Sequence, residues 1–199
     1  IDMKPDYQSI VIGWGPGAAV AMQQKRVDAA VLWDAAYGLL ENIGTKLRYI
    51  DLPIQNKIAG FTLASNDAFV KEHPDQVEGF CRAVVKGLAY TLANKKAAIK
   101  LFFQEFPTTK PSDVSEDVAV AQSVNVLDKW LEAALKGLPP GGKYGAFEKE
   151  RWDLSKKLYT ESGALKGTVP VEQAFTTQFF EGCNRFDRAA IEAQAKASN

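Results

Sequence analysis

The stretch WGPGAAVAMQQKRVDAAVLWDAA, Trp14 to Ala36, decides how this chain is read. It follows Ser9-Ile-Val-Ile-Gly13, a short β-branched run closed by glycine that predicts a buried strand. Apolar residues at helical spacing then run from Ala18 to Arg26, and Pro16 suits the first turn of that helix, where a missing N–H costs nothing. Asp28 to Leu32 predicts a second buried strand, and Ala35 to Ile43 a second helix with Gly44 at its C-terminal cap. Lys46 to Ile50 predicts a third strand, ended by Pro53. Strands alternating with short helices are the pattern of βαβ units, so the expectation is α/β, with a parallel sheet covered on both faces.

Beyond Phe61-Thr-Leu-Ala-Ser65, read as a further strand, the texture becomes helical. Ser65 or Asn66 can cap a short helix, and Pro74 opens a long amphipathic one reaching about Ala93. Helices are also predicted over Lys95–Phe106, Asp113–Leu138, Glu148–Glu161 and Asp187–Lys196, with Pro107, the Pro139–Gly142 run and Gly163 as breakers. Val171 to Phe180 gives no clear periodicity.

Composition narrows the function. The 199 residues are 46% hydrophobic and 24% charged, an ordinary globular balance. Lys+Arg and Asp+Glu both number 24, so there is no electrostatic footprint for nucleic acid or anionic lipid. No stretch approaches the roughly 20 apolar residues of a membrane helix, and IDMKPDYQ lacks the pattern of a signal peptide. Cys81 and Cys183 have no metal spacing and are read as two small buried thiols, with a disulfide as the alternative in an oxidising compartment.

The residues for catalysis are sparse. His73 is the one histidine and stands just before a helix, where a solvated cap is a better reading than a general base. No HExxH, CxxC or EF-hand spacing occurs, so neither a metal nor a cofactor is expected. Gly13-Trp-Gly15-Pro-Gly17 begins like a dinucleotide turn, but Pro16 removes a donor that a pyrophosphate would need. What survives is a pocket wall. Trp14, Gly15, Pro16 and Gly17 follow one strand, and Trp33 and Asp34 follow the next, at the carboxyl ends where open α/β sheets bind ligands. Two indoles there would make an aromatic mouth for a small organic ligand, or would cap the sheet as core residues. Tyr37, a turn beyond Asp34, is equally a candidate for ligand contact or for packing.

In order and spacing these segments resemble the solute-binding proteins of ABC importers in the NMT1/THI5-like group, which serve nitrate, taurine, alkanesulfonates and pyrimidines. The resemblance is carried by Val27-Asp-Ala-Ala-Val-Leu-Trp-Asp34, Gly60-Phe-Thr-Leu-Ala-Ser65 and Phe69-Val-Lys-Glu-His-Pro74, then by Trp152, Gly163 and Val169-Pro-Val171. Lys25-Arg26 stand where a glycine usually precedes Val-Asp, and Asp34-Ala35 replace the usual Glu-Pro. The resemblance implies a type II periplasmic-binding-protein-like fold of two α/β lobes, here lacking its N-terminal part. Residues 1–60 would belong to the second lobe, 61–65 would be a crossing strand, and 66–199 would be the mostly helical part packing on the first lobe. It further implies an extracytoplasmic monomer, not an enzyme. Such a protein closes on a small solute (a sulfonate, nitrate, aromatic carboxylate, amine or pyrimidine) and delivers it to an ABC permease. The export signal would precede Ile1. The alternatives on the same fold are an enzyme of pyrimidine or thiamine-precursor synthesis and the ligand-sensing domain of a transcription regulator.

Overall fold

Capping chemistry places the helices. The structure, a computed structural model, describes residues 8–136, 138 and 142–198. In chain order the helices among these residues are α1 (Pro16–Gln23), α2 (Asp34–Asn42), α3 (Asp67–Glu72), α4 (Pro74–Ala93) and α5 (Lys95–Glu105), then α6 (Glu116–Ala134), α7 (Lys149–Glu161), α8 (Phe180–Cys183) and α9 (Arg188–Ala197). Pro16 and Pro74 open α1 and α4, as their fixed φ favours. Asn66, Asn94 and Asp187 cap α3, α5 and α9, each accepting a hydrogen bond from a first-turn backbone N–H at 2.7–3.0 Å. The breaker at Pro139–Gly142 lies, apart from Gly142, outside the described residues.

The chain divides into two compact units, residues 1–50 with 114–133, and residues 51–113 with 134–199. In the first, α1 and α2 bury Ala18, Ala19 and Leu40 together, with Ile12, Met22, Leu32, Tyr37 and Leu47 packed around them. α2 also crosses α6 at very short range. A Cβ built on Gly38 would lie 2.7 Å from the Cα of Val126, so only glycine permits the approach. Both helices end in the same Schellman arrangement. For α2 the residue past the cap is Gly44 at φ 83°, with Thr45 N–H donating to Leu40 O at 3.0 Å. For α1 it is Lys25 at φ 55°, with Arg26 N–H donating to Ala21 O at 2.8 Å. Lys25 therefore holds the left-handed conformation that favours glycine.

In the second unit α4 is the spine, flanked by α5, α8 and α9. Its core gathers Val85, Tyr144 and Cys183, with Leu88, Leu92, Leu135, Phe179 and Phe186 against them. Asn184 matches its amide to the backbone of Tyr144 in both directions at 3.0 Å, which holds the segment after Gly142 onto α8. Cys81 and Cys183 are joined as a disulfide between α4 and α8, which corrects the free-thiol reading. Two cysteines 102 residues apart give no local sign of pairing; the meeting of α4 and α8 makes it.

The expected α/β sheet is also corrected, and with it the type II two-lobe fold. Among the described residues there is no strand: Ser9–Gly13, Asp28–Leu32, Lys46–Ile50 and Phe61–Ser65 carry neither helix nor ladder. A parallel strand buried on both faces needs neighbouring strands for its N–H and C=O groups and cover above and below. Here Val11 is 100% and Val31 90% exposed, while their neighbours Ile12 and Leu32 turn inward onto α1 and α2. A β-branched run marks a chain suited to a half-buried surface, but pairing is decided by what lies beside it.

Candidate functional site

Trp14 and Trp33 are brought together. Trp14 sits between Gly13 at φ 67° and Gly15 at φ 65°, two left-handed positions that turn the chain sharply into α1. Trp33 is the residue before α2, extended at φ −77° and ψ 156°. Their ring centroids lie 5.6 Å apart at an interplanar angle of 54°. Both rings remain open, Trp14 63% and Trp33 46% exposed, so neither is a core residue. Two contacting, exposed indoles are an unusual expense of apolar surface for packing alone.

The other predicted residues take different stations. Gly15 is buried as the N-cap of α1, and its carbonyl accepts from Ala19 N–H at 3.1 Å. Pro16 and Gly17 are exposed in the first turn of α1, and a Cβ on Gly17 would lie 3.4 Å from Ile12 O. Asp34 is half-buried in the first turn of α2, where its charge suits the positive end of the helix, and no described residue hydrogen-bonds or ion-pairs its carboxylate. Neither α1 nor α2 has a side-chain cap at its start. Tyr37 has a supporting role. Its hydroxyl accepts from Leu32 N–H at 3.1 Å, one residue before Trp33, and its ring meets Tyr49 edge-on at 5.5 Å.

Behind Tyr37 lies a polar network that sequence reasoning missed. Tyr49 donates to the Glu41 carboxylate at 2.8 Å, Lys129 pairs with the same oxygen at 3.1 Å and stands 4.7 Å above the Tyr49 ring. Asn125 donates to Gly38 O, Glu41 and Asn42 at 3.1–3.3 Å. Burial is the largest influence on Glu41 and would raise its pKa, but the hydrogen bonds from Tyr49, Lys129 and Asn125 and the lysine's charge outweigh it, so the carboxyl titrates below its ordinary range. Burial also leads for Tyr49, and together with the bond to Glu41 it pushes the phenol up. Burial alone would lower Lys129, yet its bonds to Glu41 and Tyr49 hold it above the ordinary lysine value. The network ties α2 and the segment through Tyr49 to α6. Nothing local could have signalled it, because Glu41 and Asn125 are 84 positions apart.

In the second unit, Trp152 stacks on Phe175 at 5.4 Å with Phe147 edge-on to both, and His73 lies against Phe69 at 4.9 Å. A shallow depression of about 380 Å³ in this unit, lined by Lys86, Tyr90, Thr91, Leu101, Ile191 and Gln194, is wide open, and Lys86 is the one charged residue in its lining. It is a poorer candidate than the indole pair. Among the described residues no group of metal-ligating side chains occurs, and no helix is long and apolar enough to cross a membrane.

Comparison with known proteins agrees with the resemblance seen in the sequence. Residues 2–98 match the family described as NMT1/THI5 like, a span that includes both indoles. The chain is also similar to the riboflavin-binding protein RibY of Chloroflexus aurantiacus, 31% identical over 166 residues. That match covers 77% of this chain and 45% of RibY, so the chain spans under half the length of this relative. No solved structure matches.

Proposed function

We propose that this NMT1/THI5-like chain belongs to an extracytoplasmic solute-binding protein that captures a flat heteroaromatic solute of the flavin class and delivers it to an ABC permease. The observation that carries the reading is the contact between Trp14 and Trp33, both largely exposed at the starts of α1 and α2. An inorganic anion such as nitrate gains little from two indoles, whereas a fused ring system gains both stacking and apolar burial. On this reading Asp34, in the first turn of α2, accepts from a ring N–H or a sugar hydroxyl, and the uncapped N–H groups of the two helix starts donate to carbonyl oxygens of the solute. The riboflavin-binding relative supports the same class of ligand. The Cys81–Cys183 disulfide supports an oxidising, extracytoplasmic setting, since such bonds are rare in the cytosol.

Calorimetric titration of the chain with riboflavin, nitrate and an alkanesulfonate tests the reading. Riboflavin is expected to bind, and neither anion to compete with it. Trp152→Ala, in the separate aromatic cluster, leaves the affinity unchanged. Binding of the anions and not of riboflavin would overturn the assignment.

A further inference from the structure

The two indoles, as found, fill each other's space. A flat ring lying between them would need contacts of about 3.5–4.0 Å on each face, hence roughly 7–8 Å between the indole planes. The centroids are 5.6 Å apart and the planes tilted by 54°, so no ring fits between the pair in this arrangement. One of them has to move, and the structure distinguishes which.

Trp33 is anchored. It leads directly into α2, the N–H of the preceding Leu32 is held by the Tyr37 hydroxyl at 3.1 Å, and Tyr37 is braced on Tyr49, itself bound to Glu41. Trp14 is hung between two glycines. Gly13 and Gly15 both take positive φ, and nothing lies within 4 Å of the place a Cβ would occupy on either. Among the described residues, Trp33 is the only aromatic ring that Trp14 meets.

Resting on the solute-binding reading above, we propose that Trp14 is a movable jaw and Trp33 a fixed platform: the Gly13-Trp14-Gly15 turn swings the Trp14 indole off Trp33, a flat ring seats on Trp33, and Trp14 closes over it. The device makes the site selective for planarity. A ring system one atom thick is gripped on both faces, while a puckered sugar or branched aliphatic solute holds the jaw open and loses one of the two contacts. The glycines set the path of the motion, because an L-residue at positive φ is strained in the position from which Trp14 starts.

The test uses the full chain with riboflavin, with lumichrome (the flavin ring without its sugar chain) and with ribitol (a sugar chain without the ring), read by flavin fluorescence quenching and, for ribitol, by competition. Lumichrome is expected to bind within about tenfold of riboflavin, and ribitol not to compete at millimolar concentration. Trp14→Ala is expected to weaken riboflavin and lumichrome alike by at least about tenfold, chiefly through faster release. Gly13→Ala, which keeps both indoles but strains the position from which Trp14 starts, is expected to speed association severalfold by raising the free energy of the arrangement in which the indoles block each other. If Trp33→Ala weakens binding but Trp14→Ala and Gly13→Ala leave affinity and rates unchanged, the jaw is overturned and the solute-binding assignment stands. If no tryptophan substitution matters, both fail. Competition by ribitol at lumichrome's concentration would overturn the selectivity for planarity.

Discussion

Replacing Cys81 and Cys183 together by alanine removes a cross-link between two helices of the second unit that closes a loop of 102 residues. In the chain-entropy view, closing a loop of that length withdraws about 16 cal/mol/K from the denatured ensemble, or about 4.7 kcal/mol at 25 °C. The substitution also strips two sulfur atoms from a packed core, where Cys183 is 2% exposed, and that loss acts in the same direction. Removing a native disulfide typically costs about 2–5 kcal/mol, a range that contains the entropic figure and is the cost expected here. For a chain of this size each kcal/mol moves the melting temperature by about 2–4 °C, which places the drop at roughly 5–20 °C. Urea unfolding of the parent, the parent with reductant, and the double variant reads the effect directly. The first two should differ as the first and third do, and protection from hydrogen exchange should fall most in α4 and α8. A double variant within about 0.5 kcal/mol of the parent would refute the reasoning, as would two reactive thiols in the denatured, unreduced chain.

Gly38→Ala should destabilise by at least about 1 kcal/mol, because about 2–3 kcal/mol of overpacking against the Val126 backbone exceeds the roughly 1 kcal/mol that alanine gains in a helix. Gly79→Ala, exposed on α4 with open space around it, should stabilise by up to about 1 kcal/mol; thermal melts compare the two. Lys25→Gly should stabilise by about 0.5–1 kcal/mol, since relief of a left-handed non-glycine residue exceeds the added freedom of the unfolded chain. Glu41 has a depressed pKa in the folded state, so over that window the unfolded chain binds more protons and stability rises with pH. The contribution is present above the ordinary carboxylate range and is lost as the pH falls through the depressed value. Glu41→Gln should flatten that part of an acid-unfolding curve.

The helices were legible because their signals are local. Pro16, Pro74, Asn66 and Gly44 act within one turn of the residues they organise, and each stands where the sequence places it. The sheet was misread for the converse reason. Val11 and Val31 look like buried-strand residues by type, but burial and pairing come from neighbours that a local pattern does not contain, and both are exposed. The meeting of Trp14 and Trp33 followed from their matching stations, each just ahead of a helix whose apolar faces pack together. The disulfide, the Gly38 crossing and the Glu41–Tyr49–Lys129–Asn125 network join residues from distant parts of the chain, and only the packing of α2 on α6 and of α4 on α8 discloses them. Tyr37 is legible as a residue near the site, but its bond to the Leu32 N–H depends on how the chain folds back at the start of α2.

The most direct measurement is calorimetric titration of Trp33→Ala with riboflavin beside the unaltered chain. Trp33 lies on the surface at the start of α2, so the fold should survive its truncation, as circular dichroism can verify. Loss of the fixed stacking platform should weaken binding tenfold or more, about 1.4 kcal/mol or above. An unchanged affinity in a folded Trp33→Ala protein would contradict the placing of the solute at the Trp14–Trp33 pair.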